Sequence, residues 1–453
     1  MPITIDKIAT KSAGKYYLKI ESSNGKPGTP FNKLIVVKVE IDPCDKDWDP
    51  VAKGVMNAAG ALVDETKITA RAIPKNVKGK FTFTLAEVSD ERGYCLNAPI
   101  TVPSSGLDSD GWKDLQFKNP QPDTDFTVTG TDKETASTKA ATFSEKTVTV
   151  NSFDYGAYGN IKVQFVVTSA AGEKTTIIGK VTGGTAEYAT IPQDEKNGNH
   201  IRDGAAQDSG PGTDHLAIDD TDNTPAGKPG DGFTRYEEWR GVMLPAKGGG
   251  YTHTRMNTNK RELFVYDEHG LGLGLYPSTS GITVHKIDNN CWTGTGDRDS
   301  GKRRINFNAE SHTIGMQHGL HLKNQKDLSF GGISCLGLSI NDDPRTPPFT
   351  PTDYEWCAVD DVLLKKNIIV GGDAFYSYMK NKTIAHELGH GSNLMHSNIA
   401  GAFGFPILEG GGDQCIMRLE KIFVIPQPDG TKSWTGPNAF CDSCKGSIDV
   451  KDN

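Results

Sequence analysis

Residues 1 to about 190 contain segment after segment in which apolar and polar side chains alternate: "KLIVVKVEI", "KITARAI", "GKFTFTLAEV", "FTVTGT", "KTVTVNSF", "NIKVQFVVTSA" and "KTTIIGKV". No helix-period stretch interrupts them. A period of two puts every second side chain on one face, and β-branched residues suit that pleated surface. Strands of this kind, separated by turn residues, bury their apolar faces by pairing antiparallel and stacking as two sheets. The economical architecture for residues 1–192 is therefore an all-β, immunoglobulin-like sandwich, built as one large module or two small ones. Cys44 and Cys95 are the cysteines of this half, and a bridge between them is the natural pairing in an oxidising compartment.

From 193 to 245 the chain becomes rich in Asp, Asn and Gly, as expected of a junction. Oxygen-bearing side chains at close spacing are what a hard cation such as calcium collects from a loop. Asp194, Asn197, Asn199 and Asp203 form one candidate set. A second lies in "DGFTRYEEW", where Asp231 precedes a glycine and Glu238 enters a helix, similar to the exit of an EF-hand loop. The earlier positions there are Gly227 and Pro229, which lack side-chain oxygens, so Asp231 and Glu238 make half a site, to be completed by the first loop.

Residues 246–453 mix strand signals with a helix, an α/β pattern. "RELFVYDE", "RRINFN", "HGLHLKN", "CLGLSI" and "NIIVGG" are expected strands, and Asp373 is expected to cap a helix that starts near Ala374. Near that helix's end stands "HELGHGSNLMH". Residues four apart share a helix face, so His386 and His390 present two imidazoles to one point. Glu387 falls about 100° around the helix, placed to reach a water rather than to replace a ligand. A continuing helix would carry His396 about 240° away from His390. A reversal at Asn393, a residue that tolerates the left-handed conformation, returns His396 to the same point.

The segment His386–His396 resembles the zinc-binding signature of the metzincin metallopeptidases, with Asn393 where most of that clan has glycine. Met417, in "CIM", is similar to the clan's Met-turn. The resemblance implies a metzincin-like α/β zincin fold for 246–453, one catalytic zinc on His386, His390 and His396, and Glu387 as general base. It also implies an antiparallel edge strand that holds extended substrates, for which "HTIGMQHGLHL" is the candidate. The histidines of that segment, His312, His318 and His321, are read as edge or loop residues rather than as a second metal site.

The expected function is zinc-dependent cleavage of protein or peptide substrates, with calcium as a structural cofactor. The alternative is a surface-binding or adhesion protein carrying an inert zincin fold, against which the intact Glu387 speaks. A formal charge of −8, without long runs of either sign, argues against nucleic acid. No apolar stretch reaches transmembrane length. Eight cysteines, an even count, together with the metal chemistry, point to a secreted protein with disulfides.

Overall fold

The computed structural model describes residues 7–11, 15–20, 33–56, 61–98, 113–169, 172–196, 198–208, 231, 233–258, 260–292, 304–309, 317, 319–324, 326, 332–334, 356–359, 372–392, 415–416, 423–426, 432–435 and 440. The chain divides into two compact units, 1–94 with 107–213, and 95–106 with 214–453.

The first unit is a two-sheet β-sandwich. Its strands are β1 (Lys7–Lys11), β2 (Lys15–Ile20), β3 (Lys33–Asp42), β4 (Glu65–Ile73), β5 (Lys80–Ala86), β6 (Leu115–Phe117), β7 (Phe126–Thr129), β8 (Thr135–Thr138), β9 (Glu145–Ser152), β10 (Gly159–Thr168), β11 (Lys174–Ile178), β12 (Lys180–Val181) and β13 (Ala189–Ile191). One sheet runs β1-β2-β3-β4-β9-β6, with β12 beside β3; the other runs β11-β10-β5-β8-β7, with β13 beside β10. Alternation in the sequence becomes alternation in burial. Ile68, Ala70 and Ala72 of β4 and Phe81, Phe83 and Leu85 of β5 face inward, while their neighbours lie nearer solvent. One core joins both sheets, filled at its centre by the Phe81 and Phe165 rings with centroids 4.5 Å apart.

The second unit opens with α1 (Arg235–Arg240) and the hairpin of β14 (Val242–Pro245) and β15 (Tyr251–Thr254). Next come β16 (Glu262–Asp267), the single turn α2 (Tyr276–Thr279), β17 (Thr283–Ile287), β18 (Gly319–Asn324), β19 (Gly332–Ser334) and β20 (Trp356–Val359). The helix α3 (Gly372–Gly391) and a hairpin of β21 (Phe423–Pro426) and β22 (Lys432–Thr435) complete it. Its main sheet has the order β17-β16-β18-β20-β19, parallel except for β19, which pairs antiparallel with β20.

Because successive side chains of a strand point to opposite faces, β16 serves two cores at once. Leu263 and Val265 join Leu320, Leu322 and the α3 residues Ile384, Ala385 and Leu388. Phe264 joins Phe233, Val242, Met256 and Trp292 on the α1 side. This is why "ELFV" is buried without a break, the pattern of a strand covered on both faces.

Three sequence expectations are corrected. The "HGLHL" part of the proposed edge lies inside the sheet: β18 pairs with β16 and β20, Leu320 and Leu322 being too apolar for a solvent edge, and the antiparallel end strand is β19. "RRINFN" makes no regular strand over 304–308; its backbone bonds to separate segments instead, Ile305 N–H donating to Gln317 O at 2.7 Å and Asn308 N–H to Leu96 O at 3.0 Å. Cys44 and Cys95 are thiols, as are Cys291 and Cys415. The Cys44 thiol faces Thr190 O in the first unit, whereas Cys95 belongs to the second and faces Asn97 Oδ1.

Candidate metal centres

Helix α3 carries His386, Glu387 and His390 in one unbroken run, beginning at Gly372, two residues before the expected start. Ile384, Ala385 and Leu388 anchor it to the sheet, Glu387 is buried, and His386 is half-buried. His386 Nδ1 lies 2.9 Å from the main-chain oxygen of Ile416, the residue before Met417. A carbonyl oxygen only accepts, so Nδ1 carries the hydrogen and the neutral ring keeps its lone pair on Nε2. A main-chain carbonyl in that role is the usual support of a metal-ligating histidine.

The helix ends at Gly391, with Ser392 closing the last turn. The Ser392 N–H donates to Leu388 O at 3.0 Å, and its hydroxyl donates to the same oxygen at 2.8 Å. That hydroxyl also meets the Tyr276 hydroxyl at 2.6 Å. Alongside, Gly274 has a φ of +59° and sits so close to the helix that an added Cβ would come within 2.3 Å of Asn381 O. Gly274 thus serves close backbone approach. The His390 side chain and the residues Asn393, His396 and Met417 lie outside the described residues, as do His312 and His318. His321 is engaged with Glu268, its Nε2 lying 3.0 Å from Oε2, and stacks on Tyr266.

The two calcium candidate sets fall in different units. Asp194, Asn199 and Asp203 lie in the first unit, Asp231 and Glu238 in the second. In the first loop the side-chain oxygens organise the loop itself. Asp194 accepts the Gly198 and His200 amides at 2.9 and 2.6 Å, Asn199 accepts Ile201 N–H at 2.9 Å, and Asp203 accepts Glu195 N–H at 3.2 Å. Burial raises the Asp194 carboxyl above its ordinary value. Asn197 lies outside the described residues.

Asp231 and Glu238 come together with a residue the sequence did not suggest. One carboxylate oxygen from each of Asp231, Glu238 and Glu262 lies within 4.8 Å of the other two, and the three residues are 0%, 0% and 2% exposed. Thr234 sets the start of α1 through a capping box: its hydroxyl accepts Glu237 N–H at 3.1 Å, and Glu237 Oε2 accepts the Thr234 amide at 2.8 Å. This fixes the turn from which Glu238 projects. Asp231 accepts Phe233 N–H at 3.1 Å and, across the fold, Glu262 N–H at 2.8 Å. The Gln317 amide ties the same two segments, donating to Asp231 O at 2.7 Å and to Glu262 O at 3.3 Å. Glu262, at the first position of an apolar strand, had no spacing signal to reveal it.

Two ionised carboxylates at such a separation repel by about 3 kcal/mol for an effective dielectric constant of about 20. Three buried together need protons or a cation. Nearby Glu237, held apart from the trio by Thr234 and Asn306, is pushed up to about 7 by burial.

No known family model matches the chain, and no curated protein matches it. Among solved structures it is similar to the reeler domain of human F-spondin, at 9% identity and TM-score 0.18, over 31% of this chain and 87% of that one. The major pilin subunit BcpA of Bacillus cereus matches at 10% identity and TM-score 0.17, over 37% of this chain and 53% of the pilin. The Yersinia pseudotuberculosis adhesin InvE matches at 15% identity and TM-score 0.15, over 39% of this chain and 46% of the adhesin. The chain therefore spans only about half the length of the pilin and the adhesin.

Proposed function

We propose that the second unit is a zinc-dependent endopeptidase of metzincin type and the first an immunoglobulin-like accessory module. The observation that carries the reading is the contact between His386 Nδ1 and Ile416 O. It supports a ring prepared for metal through Nε2, and it places the segment preceding Met417 against the first histidine of the signature. His386, His390 and His396 would hold the ion, an all-imidazole donor set that suits zinc. When bound, zinc supplies Lewis acidity that acidifies a water and polarises a carbonyl.

The rest falls to the chain's own groups. Glu387, buried beside His386, takes a proton from the attacking water and passes it to the leaving amine. The end strand β19 packs against α3 and offers its outer backbone for main-chain pairing with an extended substrate. An extracellular setting rests on this chemistry alone, since the cysteines with described side chains are thiols. No described helix is long and apolar enough to cross a membrane.

The test is cleavage of an unfolded generic protein by the purified chain, with zinc content measured on the same sample. One zinc per chain and cleavage abolished by a zinc chelator are expected. A chain that binds zinc at full occupancy and cleaves nothing would return the reading to a surface-binding protein with an inert zincin fold.

A further inference from the structure

We infer that Asp231, Glu238 and Glu262 bind a calcium ion that ties α1 to the main sheet of the second unit. The proposal does not rest on the peptidase reading. Its first support is convergence: three buried carboxylates from two separate segments, each with an oxygen within 4.8 Å of the others. The second is independent of the clustering. Glu262 Oε2 is buried and makes no hydrogen bond among the described residues. Among the described residues the other oxygen, Oε1, has only two long contacts, to Asn257 N–H at 3.4 Å and to His285 Nε2 at 3.8 Å. Such a carboxylate, facing two more, lacks the donors that a buried anion needs, and a cation supplies them.

The donor chemistry selects the ion. All three ligands are hard oxygens, which disfavours zinc and copper. Magnesium keeps several waters, whereas these carboxylates are almost wholly enclosed. Asp231 and Glu238 keep the spacing of the second half of an EF-hand loop, in which the final glutamate binds calcium through both oxygens. Glu262 supplies from a remote strand the charge that Gly227 and Pro229 cannot. Gln317, donating to both ligand-bearing segments, is a positioning residue.

The experiment uses the full chain, freed of metals with a chelator, desalted, reloaded with one equivalent of zinc, and then titrated with calcium chloride in chelator-free buffer. Calorimetric titration and melting curves report binding. Terbium, a luminescent stand-in for calcium, reports location, because Trp239 adjoins Glu238 and can sensitise it. Calcium should raise the melting temperature, and terbium emission excited through tryptophan should be displaced by calcium. Glu262→Gln should weaken calcium binding roughly tenfold or more and leave zinc content unchanged. It should also melt above the parent in calcium-free buffer, where it relieves repulsion, and below it in calcium. That crossing is what a merely structural glutamate would not produce. Asp203→Asn, in the first loop, should bind calcium like the parent. A parent chain whose melting ignores millimolar calcium, a Glu262→Gln chain with the parent's calcium shift, or loss of binding in Asp203→Asn alone would each overturn the assignment.

Discussion

His386 and Ile416, thirty residues apart in sequence, are joined by a hydrogen bond of 2.9 Å from the imidazole Nδ1 to the main-chain oxygen. The bond sets the tautomer of the ring and so decides which nitrogen can bind a metal. A main-chain acceptor cannot be removed by changing the Ile416 side chain, so the histidine's readiness is built into the backbone path. His386→Asn, which keeps a donor but loses the distal imidazole nitrogen, should fold and should lower zinc affinity, as measured by competition with a chromogenic chelator. Unchanged zinc affinity would remove His386 from the ligand set.

Glu387 and His396 should fail in different ways. Glu387→Gln is expected to keep one zinc per chain while turnover drops about 10²–10⁴-fold, the usual cost of losing a general acid–base group. His396→Ala is expected to lose zinc affinity and to recover part of its activity in added metal. Metal analysis beside the peptidase assay separates the two, and a Glu387→Gln chain that loses its zinc would show that Glu387 is a ligand.

His253 should govern part of the acid limb of stability. Burial, with the Arg255 charge beside it, pushes its pKa down to about 3, and its Nε2–H donates to Arg240 O at 2.8 Å. Unfolded, the ring titrates near 6.5. Between those values the unfolded chain binds a proton that the folded chain refuses, so stability contributed by the neutral ring falls as pH drops through that window. His253→Gln, which retains an amide donor, should flatten the decline in melting temperature from pH 6.5 to 3. An identical acid limb in both proteins would count against a neutral histidine in the folded state.

The thiols of Cys44 and Cys291 should be inert until the chain unfolds. Desolvation is the main cause in each, and both pKa values are raised to about 12. At pH 8 almost none of either is thiolate, the reactive form. Mass mapping after a short exposure to a thiol reagent should find both unmodified in native protein and both modified in denaturant. Fast native labelling of either would mean that its site opens readily.

Phe165 is the keystone of the sandwich core, fully buried and packed on Phe81. Phe165→Ala should cost about 3–5 kcal/mol of stability through lost burial and the cavity left behind. Urea denaturation monitored by circular dichroism gives the number, and a cost under about 1 kcal/mol would mean that the core refills the gap.

Local periodicity carried the sandwich, because a strand's period of two is written into adjacent residues: β4, β5 and β10 bury every second side chain where their sequences alternate. It also carried the placement of His386, Glu387 and His390 near the end of one helix, since residues four apart on a helix are neighbours whatever surrounds them. Asp231 and Glu238 were legible for the same reason, being the two ends of one short loop and helix. Nothing local could announce Glu262, Gln317 or Ile416. Glu262 reaches Asp231 across 31 positions, and Ile416 reaches His386 across 30. Such contacts follow from which strand lies beside which and which way the chain returns. Strand order is set by burying both faces of β16 together with the Leu320 and Leu322 face of β18, and which strands share that burial has no signature in any single segment. The sequence determined the elements and the chemistry each one carries; tertiary packing decided that the third carboxylate beside Asp231 and Glu238 comes from a strand and that the first histidine leans on the backbone beside Met417.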